Sequence, residues 1–370
     1  MVIPTYQRRE LVRRAIASVF AQTNRDHELI VVDDGSTDGT REMLEALGGR
    51  IRYRWQKNRG PGAARNAGIR IARAPVVAFL DSDGRWLPDH LAVVTEMLRR
   101  HPEALVASTC PGFVVAGRER PDEARVVPVL AHLMVTNDPG LVSCMAARRS
   151  TLLAVGGFDE RLAVAEDSDL WLRIAIRGPF VMLRRRTVVP QNTRGGLRER
   201  GRRSGEYLDT AERIWTRAAG ELERLANAGA GDDVHGLLSR ARGNRHLVVA
   251  LRAIESGDDH TAAVELDRAC RLNPDLSKHP TAVANRMRHF LPGAHERPER
   301  LRHLETASRV WPDQRSDAAL LLRASSFLLA LRIGRLATAA RQLPGWPLRT
   351  TPGFLMRVRA PLLLRLRRWL

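Results

Sequence analysis

Apolar residues gather in short uncharged runs near the N-terminus, with helical spacing between them. Residues 1–3, cut off by Pro4, residues 29–32 and residues 76–80 are too short for typical helices and read as buried strands. Leu11, Ala15, Ile16 and Val19 recur at helical period, and Ser36, Thr37 or Asp38 can cap a helix over 40–47. Residues 51–55 alternate as a third strand, broken by Asn58-Arg59-Gly60-Pro61-Gly62. A small-residue helix over 63–72 then carries Arg65 and Asn66 on its first turns. Such alternation predicts an α/β fold with a parallel sheet, whose ligands lie beyond the carboxyl ends of the strands. Thr5, Asp34 and Asp83 sit at such ends.

Further on, the pattern predicts a helix over 88–100, apolar runs at 104–108 and 112–115, and a polar connection over 116–138. A strand over 141–146 and a short helix over 150–155 follow. Gly156-Gly157-Phe158-Asp159-Glu160 reads as a turn leading to a helix that opens with Glu166-Asp167-Ser168-Asp169. From about Ser204 the pattern is almost wholly helical.

A chain of 370 residues is long enough for two domains, since one core rarely grows beyond ~250 residues. Cys110, Cys144 and Cys270 lie far apart without metal-like spacing, which reads as reduced, cytosol-facing thiols. Neither a signal peptide nor a run of ~18 apolar residues is visible. The first strand begins directly after Met1, as in a chain whose start lies further upstream. Net charge is +19, and after Asp317 come ten arginines and no acid. Nucleic-acid binding would suit that charge, but these arginines interleave with leucines at helical spacing and no nucleic-acid motif accompanies them.

Chemistry concentrates at Asp81-Ser82-Asp83. Neighbours but one on a regular strand share a face but stand ~7 Å apart, so a turn at Ser82, made cheap by Gly84, is needed to bring both carboxylates to one ion. Hard oxygen ligands suit Mg2+ or Mn2+ with open positions for phosphate oxygens. The alternative is an N-cap before the helix near Pro88. For Glu166 and Asp167 the alternative is capping, because acids favour a helix N-terminus.

Taken together, Pro4-Thr5-Tyr6, Asp33-Asp34-Gly35-Ser36-Thr37-Asp38, Asn58-x-Gly60 with Ala64-Arg65-Asn66-x-Gly68, Phe79-Leu80-Asp81-Ser82-Asp83, Gly156-Gly157-Phe158-Asp159-Glu160 and Glu166-Asp167-x-Asp169-Leu170-x-x-Arg173 resemble the family 2 inverting glycosyltransferases of GT-A fold. The resemblance spans about the first 190 residues. It implies a nucleotide-sugar donor, with UDP preferred, a divalent cation, and single displacement onto the hydroxyl of a glycan or lipid-linked acceptor in cell-surface polysaccharide or glycolipid synthesis. By the same resemblance, Pro4, Thr5 and Tyr6 border base and ribose, Asp34 accepts a hydrogen bond from the base, and Arg65 lies near the diphosphate. Asp83 is the principal metal ligand, Asp81 contacts ribose or metal-bound water beside Ser82, and Asp167 is the catalytic base. Gln7 stands where the family usually has Asn, Gly84 where a further Asp often follows, and Gln191 and Asn192 where some members place a metal-binding His. Those departures keep a second class open, an inactive nucleotide-sugar-binding scaffold of the same fold.

The resulting domain expectation is a GT-A domain over 1–203, a helical domain over 204–350 and a basic amphipathic tail over 351–370. Gly257, Ala262, Leu266, Ala269 and Pro274 fall at the spacings of a tetratricopeptide-like helical pair, echoed around 306–313; an unrelated helical bundle is the alternative. In the tail, Leu362, Leu363, Leu366, Trp369 and Leu370 share one side of a helix and Arg365 and Arg368 another. Such a segment either attaches the enzyme peripherally to the inner face of the plasma membrane or packs on the helical domain. The expected location is cytoplasmic.

Overall fold

A computed structural model describes residues 1–109, 123–130, 133, 141–189, 206–228, 233–278 and 306–307. The chain divides into two compact units, Met1–Gly201 and Arg202–Leu370.

In the first unit, β1 (Val2–Thr5), β2 (Ile30–Asp33) and β3 (Arg52–Trp55) form a parallel sheet in that order, with Thr5, Asp33 and Trp55 in register at its carboxyl edge. β1 and β2 are buried at every position, as strands covered on both faces must be. Pro4 does not end β1 but lies within it, opposite Val32. The reason is its orientation: Met1 and Thr5 carbonyls accept from Ile30 and Asp34 on the β2 side, while the Val2 carbonyl accepts from Leu80 on the other. Pro4 shares the side of Val2, where the neighbouring chain has left the sheet and no N–H is needed.

Helix α1 (Arg9–Phe20) buries Val12, Ala15, Ile16 and Val19, the stripe that the spacing predicts. After α2 (Thr40–Glu45), α3 (Pro61–Ile71) begins with Pro at its first turn, where the missing N–H costs nothing. It lies so close on β1 that a Cβ on Gly68 would stand 2.4 Å from Val2 Cγ1.

β4 (Val76–Ala78) adjoins β1 through a parallel bridge between Val2 and Phe79. It opens a second sheet that is mixed rather than wholly parallel. α4 (His90–Arg100) leads to β6 (Val106–Ser108), and the order is β4, β8 (Met145–Arg148), β6, β9 (Phe180–Met182), β7 (Arg125–Val127). β8 is antiparallel to β4 and β6, and β7 to β9, while β6 and β9 are parallel. β8 starts opposite Ser108, where β6 stops, as an antiparallel neighbour does. A 3-10 turn over Val142–Cys144 replaces the first half of the strand expected at 141–146. β5 (Arg85–Trp86) pairs with β10 (Val188–Val189). α5 (Arg149–Ala154) and α6 (Glu166–Ala175) complete the described helices here, with Trp171 of α6 buried edge-on to Phe79 and Phe180.

The second unit is helical where described: α7 (Glu206–Asn227), α8 (Asp233–Ser256), α9 (Asp259–Leu272) and α10 (Asp275–Lys278). Gly257 turns the chain at φ +80°, and Asp258 caps α9 by accepting from the Thr261 N–H at 3.0 Å. Ala262, Leu266 and Ala269 are buried, and α9 packs along α8. Apart from residues 306–307, the expected echo over 306–313 lies outside the described residues, as do Gln191, Asn192 and the 351–370 tail. Among the described residues no helix is long and apolar enough to cross a membrane.

Candidate active site

The D-S-D segment leaves the sheet in a turn. Asp81 carbonyl accepts from the Gly84 N–H at 2.8 Å, so the chain reverses at Ser82 and Asp83. Ser143 Oγ accepts from the Asp81 N–H at 3.0 Å, and Trp86 Nε1 donates to the Ser143 carbonyl at 2.8 Å, which seats the turn on the Val142–Cys144 segment. Ser82 is buried, whereas the Asp81 and Asp83 side chains are 34% and 21% exposed. Neither carboxylate caps α4, whose N-cap is Asp89.

Arg65, on the first turns of α3, crosses to two carboxylates. Its Nη2 donates to Asp81 Oδ1 at 2.7 Å and its Nη1 to Glu166 Oε1 at 2.6 Å, with only 6% of the side chain exposed. Its guanidinium carbon lies 5.3 Å from the centre of the Phe158 ring, within cation–π range. Its Nε is buried without a hydrogen-bond partner among the described residues. Burial opposes the guanidinium charge, but Asp81 and Glu166 outweigh it and hold Arg65 firmly protonated. Burial also pushes the Glu166 carboxyl above the usual carboxylate range; Arg65 opposes that rise and neighbouring Asp167 adds to it.

Asp34 follows β2 and is buried. Gln56 Nε2 at 2.7 Å and the Arg59 N–H at 3.0 Å donate to Oδ1, and the Gly60 N–H donates to Oδ2 at 2.8 Å. Burial raises its pKa, and those three donors oppose the rise without cancelling it. The carboxylate therefore fastens the loop before α3 to the end of β2. Gln7 does the same for the β1 loop: its N–H donates to Ser36 Oγ at 2.9 Å and its Nε2 to Thr37 Oγ1 at 2.8 Å. Between these loops Thr5 is buried, its Oγ1 lacking a hydrogen-bond partner among the described residues, and Tyr6 is 44% exposed.

Asp167 lies on the first turn of α6. The helix has Ala165, at φ +54°, as its N-cap with no side-chain cap bond, so neither acid is the N-cap residue, although both stand on the first turn, where the helix macrodipole favours a carboxylate. Asp167 Oδ1 accepts from the adjacent Ser168 N–H at 2.8 Å, and the residue is half-buried. Asp169 and Arg173 pair at 2.7 Å, and Arg173 donates to the Val155 and Gly157 carbonyls, tying α6 to the G-G-F-D-E turn.

The folding thus links Asp83, Asp81, Arg65, Glu166 and Asp167 by direct bonds or adjacency, with Pro4, Thr5, Tyr6 and Asp34 on neighbouring strand ends. Three contributors were not singled out from the sequence. Ser143 and Gln56 come from distant or loop positions that carry no pattern. Arg8, whose Nη1 donates to Asp83 Oδ2 at 2.8 Å, could have been found from its place just beyond the β1 end.

Residues 1–153 match the family model of Glycosyl transferase family 2. An uncharacterized glycosyltransferase (alr2836) of Nostoc sp. is 41% identical over 103 residues, which is 27% of this chain and 32% of that protein. The succinoglycan biosynthesis protein ExoW of Rhizobium meliloti is 44% identical over 107 residues, again 27% of this chain and 34% of its own length. The chain therefore spans about a third of the length of these relatives. Among solved structures, S. aureus TarS 1-349 in complex with UDP-GlcNAc superposes with a TM-score of 0.54 at 18% identity, over 90% of this chain and 91% of that one. The likeness is one of fold: an α/β domain of GT-A type followed by a mostly α-helical region.

Proposed function

We propose that the protein is an inverting glycosyltransferase that moves a sugar from a nucleoside diphosphate sugar, UDP-linked, to an acceptor hydroxyl in cell-surface glycan or glycolipid synthesis. The observation that carries this reading is the hydrogen-bonded row Asp81, Arg65 and Glu166, with Asp83 on the same turn as Asp81 and Asp167 next to Glu166. The family match over residues 1–153 and the sugar nucleotide bound by TarS support the donor class, and the named role of ExoW supports glycan synthesis.

In this reading Thr5 and Tyr6 border the nucleoside, Asp34 accepts from the base, and Arg65 sets the position of Asp81 while its charge faces the diphosphate. Asp81 and Asp83 fit a hard divalent cation, because both are partly exposed carboxylates on one turn. Among the described residues no group of three or more His, Cys, Asp or Glu could hold a metal, so water and the donor would complete its shell. When bound, Mn2+ or Mg2+ supplies charge stabilisation to the leaving diphosphate. Asp167 takes the acceptor hydroxyl proton on a carboxylate oxygen as the hydroxyl oxygen attacks C1 from the face opposite the diphosphate; the C1–O bond to the diphosphate breaks with its electron pair on the leaving oxygen, and C1 inverts. General-base catalysis of this kind contributes typically ~10^2 to 10^4 in rate.

Thermal shift of the intact chain with nucleotide sugars and Mn2+ tests donor choice, since a ligand of the folded state raises its melting temperature. Donor hydrolysis or transfer, measured on the best binder, separates an enzyme from a binding scaffold: tight binding with no turnover under any acceptor would sink the enzymatic reading. Attachment of the 351–370 tail to an anionic membrane surface rests on its sequence pattern alone. Deleting 352–370 should abolish low-salt sedimentation with anionic liposomes.

A further inference from the structure

Arg8 has no part in the transfer as described, yet it holds the residue assigned to the cation. It is the N-cap residue of α1, and its Nη1 donates to Asp83 Oδ2 at 2.8 Å with the two side chains 29% and 21% exposed. The other D-S-D carboxylate is held by Arg65, which is 6% exposed and is gripped by Glu166, itself only 11% exposed. The two arginines therefore differ in how readily they can move. Drawing Arg65 off Asp81 would strain a buried network in which each lost bond leaves a charge uncompensated, whereas an ion pair at partial exposure is worth little and exchanges easily. Among the described residues each carboxylate is paired with a guanidinium before any ligand arrives, and the Arg8 pair is the one whose arginine is the more exposed.

Building on the nucleotide-sugar reading, we propose that Arg8 is an exchangeable counter-ion of Asp83: it occupies the carboxylate in the empty site, yields it to the divalent cation, and then pairs with a diphosphate oxygen of the donor. Arg65 keeps Asp81 fixed throughout. The exchange conserves charge pairing, since the cation replaces the guanidinium on Asp83 and the diphosphate replaces Asp83 on the guanidinium. Two consequences follow. The cation alone binds weakly, because it must evict Arg8 into water without a new partner. Cation and nucleotide together bind cooperatively, because the nucleotide gives the evicted guanidinium a place to go.

Mn2+ binding to the intact chain, read from the loss of the free Mn2+ electron paramagnetic resonance signal with and without UDP, tests this directly. Arg8→Gln should bind Mn2+ alone about five-fold more tightly than the wild type, the worth of a partly exposed ion pair, and should bind UDP alone more weakly. The gain in Mn2+ affinity produced by UDP should shrink accordingly. Arg8→Lys keeps the positive charge and should stay near the wild type, which separates competition for Asp83 from a general disturbance of α1; melting curves confirm that each variant is folded. Equal Mn2+ affinity in wild type and Arg8→Gln, with Asp83→Asn losing it in both backgrounds, overturns the exchange while leaving Asp83 as the ligand. Failure of UDP itself to bind the wild type overturns the underlying functional reading, and the exchange with it.

Discussion

Asn66 and Phe158, 92 residues apart, are joined by reciprocal hydrogen bonds: the Phe158 N–H donates to Asn66 Oδ1 at 2.8 Å, and Asn66 Nδ2 donates to the Phe158 carbonyl at 2.8 Å. Asn66 follows Arg65 on α3, and Phe158 lies on the turn before α6. This amide clasp therefore holds the helix carrying Arg65 against the segment carrying Glu166 and Asp167. Asn66 Nδ2 also donates to Glu160 Oε1 at 3.0 Å.

Gly157 makes the clasp possible. It lies at φ +70°, and a Cβ there would stand 2.3 Å from Asn66 Oδ1. Gly157→Ala should lose about 2–3 kcal/mol of stability, from left-handed strain and the broken clasp together. Urea unfolding measures this, and Asn66→Ala should reproduce the part due to the clasp. A change below about 0.5 kcal/mol in both variants would show that the turn and α3 are held by other contacts.

Removing Arg65 should destabilise the fold in a pH-dependent way. Burial holds the Glu166 carboxyl above its ordinary value even with Arg65 present. A carboxyl raised in the folded state binds its proton more tightly there than in the unfolded chain. Its contribution is therefore fullest below the ordinary carboxylate range and is lost as pH rises through the folded-state value. Arg65→Met removes the opposing charge, so stability should fall more steeply than in the wild type as pH rises above the ordinary carboxylate range, with about 3–5 kcal/mol lost at the upper end. Glu166→Gln in the Arg65→Met background should remove much of that slope; denaturant melts across the range decide it.

Asp167→Asn should keep donor affinity within a few-fold while transfer falls by ~10^2 or more, because an amide preserves shape but takes no proton. Asp167→Asn keeps an acceptor for the Ser168 N–H but removes a charge favoured on the first turn of α6, so its stability should fall by no more than about 1 kcal/mol. Single-turnover kinetics beside a thermal melt check both; near-normal turnover would remove Asp167 from the base role.

With Asp83→Ala, calorimetry should show UDP binding that no longer responds to Mn2+. Undiminished Mn2+-dependent affinity would refute Asp83 as the ligand.

β1 to β4, the helical stripe of α1 and the ends that carry Thr5, Asp34 and Asp83 were legible in the sequence, because burial leaves periods that survive in one dimension; β7, which falls within the connection expected over 116–138, and β9 were not. The candidate roles of Arg65, Asp81, Asp83 and Asp167 came instead from the resemblance of several motifs in order, to which the local signals, such as a turn at Ser82, added support. Pro4 was misjudged, since local propensity ends a strand at proline while only the neighbouring chain shows that no N–H is wanted there. The antiparallel entry of β8 was hidden as well, because strand direction depends on how a connection returns and leaves no mark on the strand itself. Pairings across long separations were decided by the tertiary structure alone: Arg8 with Asp83, Arg65 with Glu166 and Asn66 with Phe158 are single contacts between segments about 75 to 101 residues apart. The resemblance carried by the motifs implied which charges the candidate site would contain. Which charge compensates which, and which pair is buried deeply enough to be permanent, followed from the packing of α3 and α6 around the D-S-D turn.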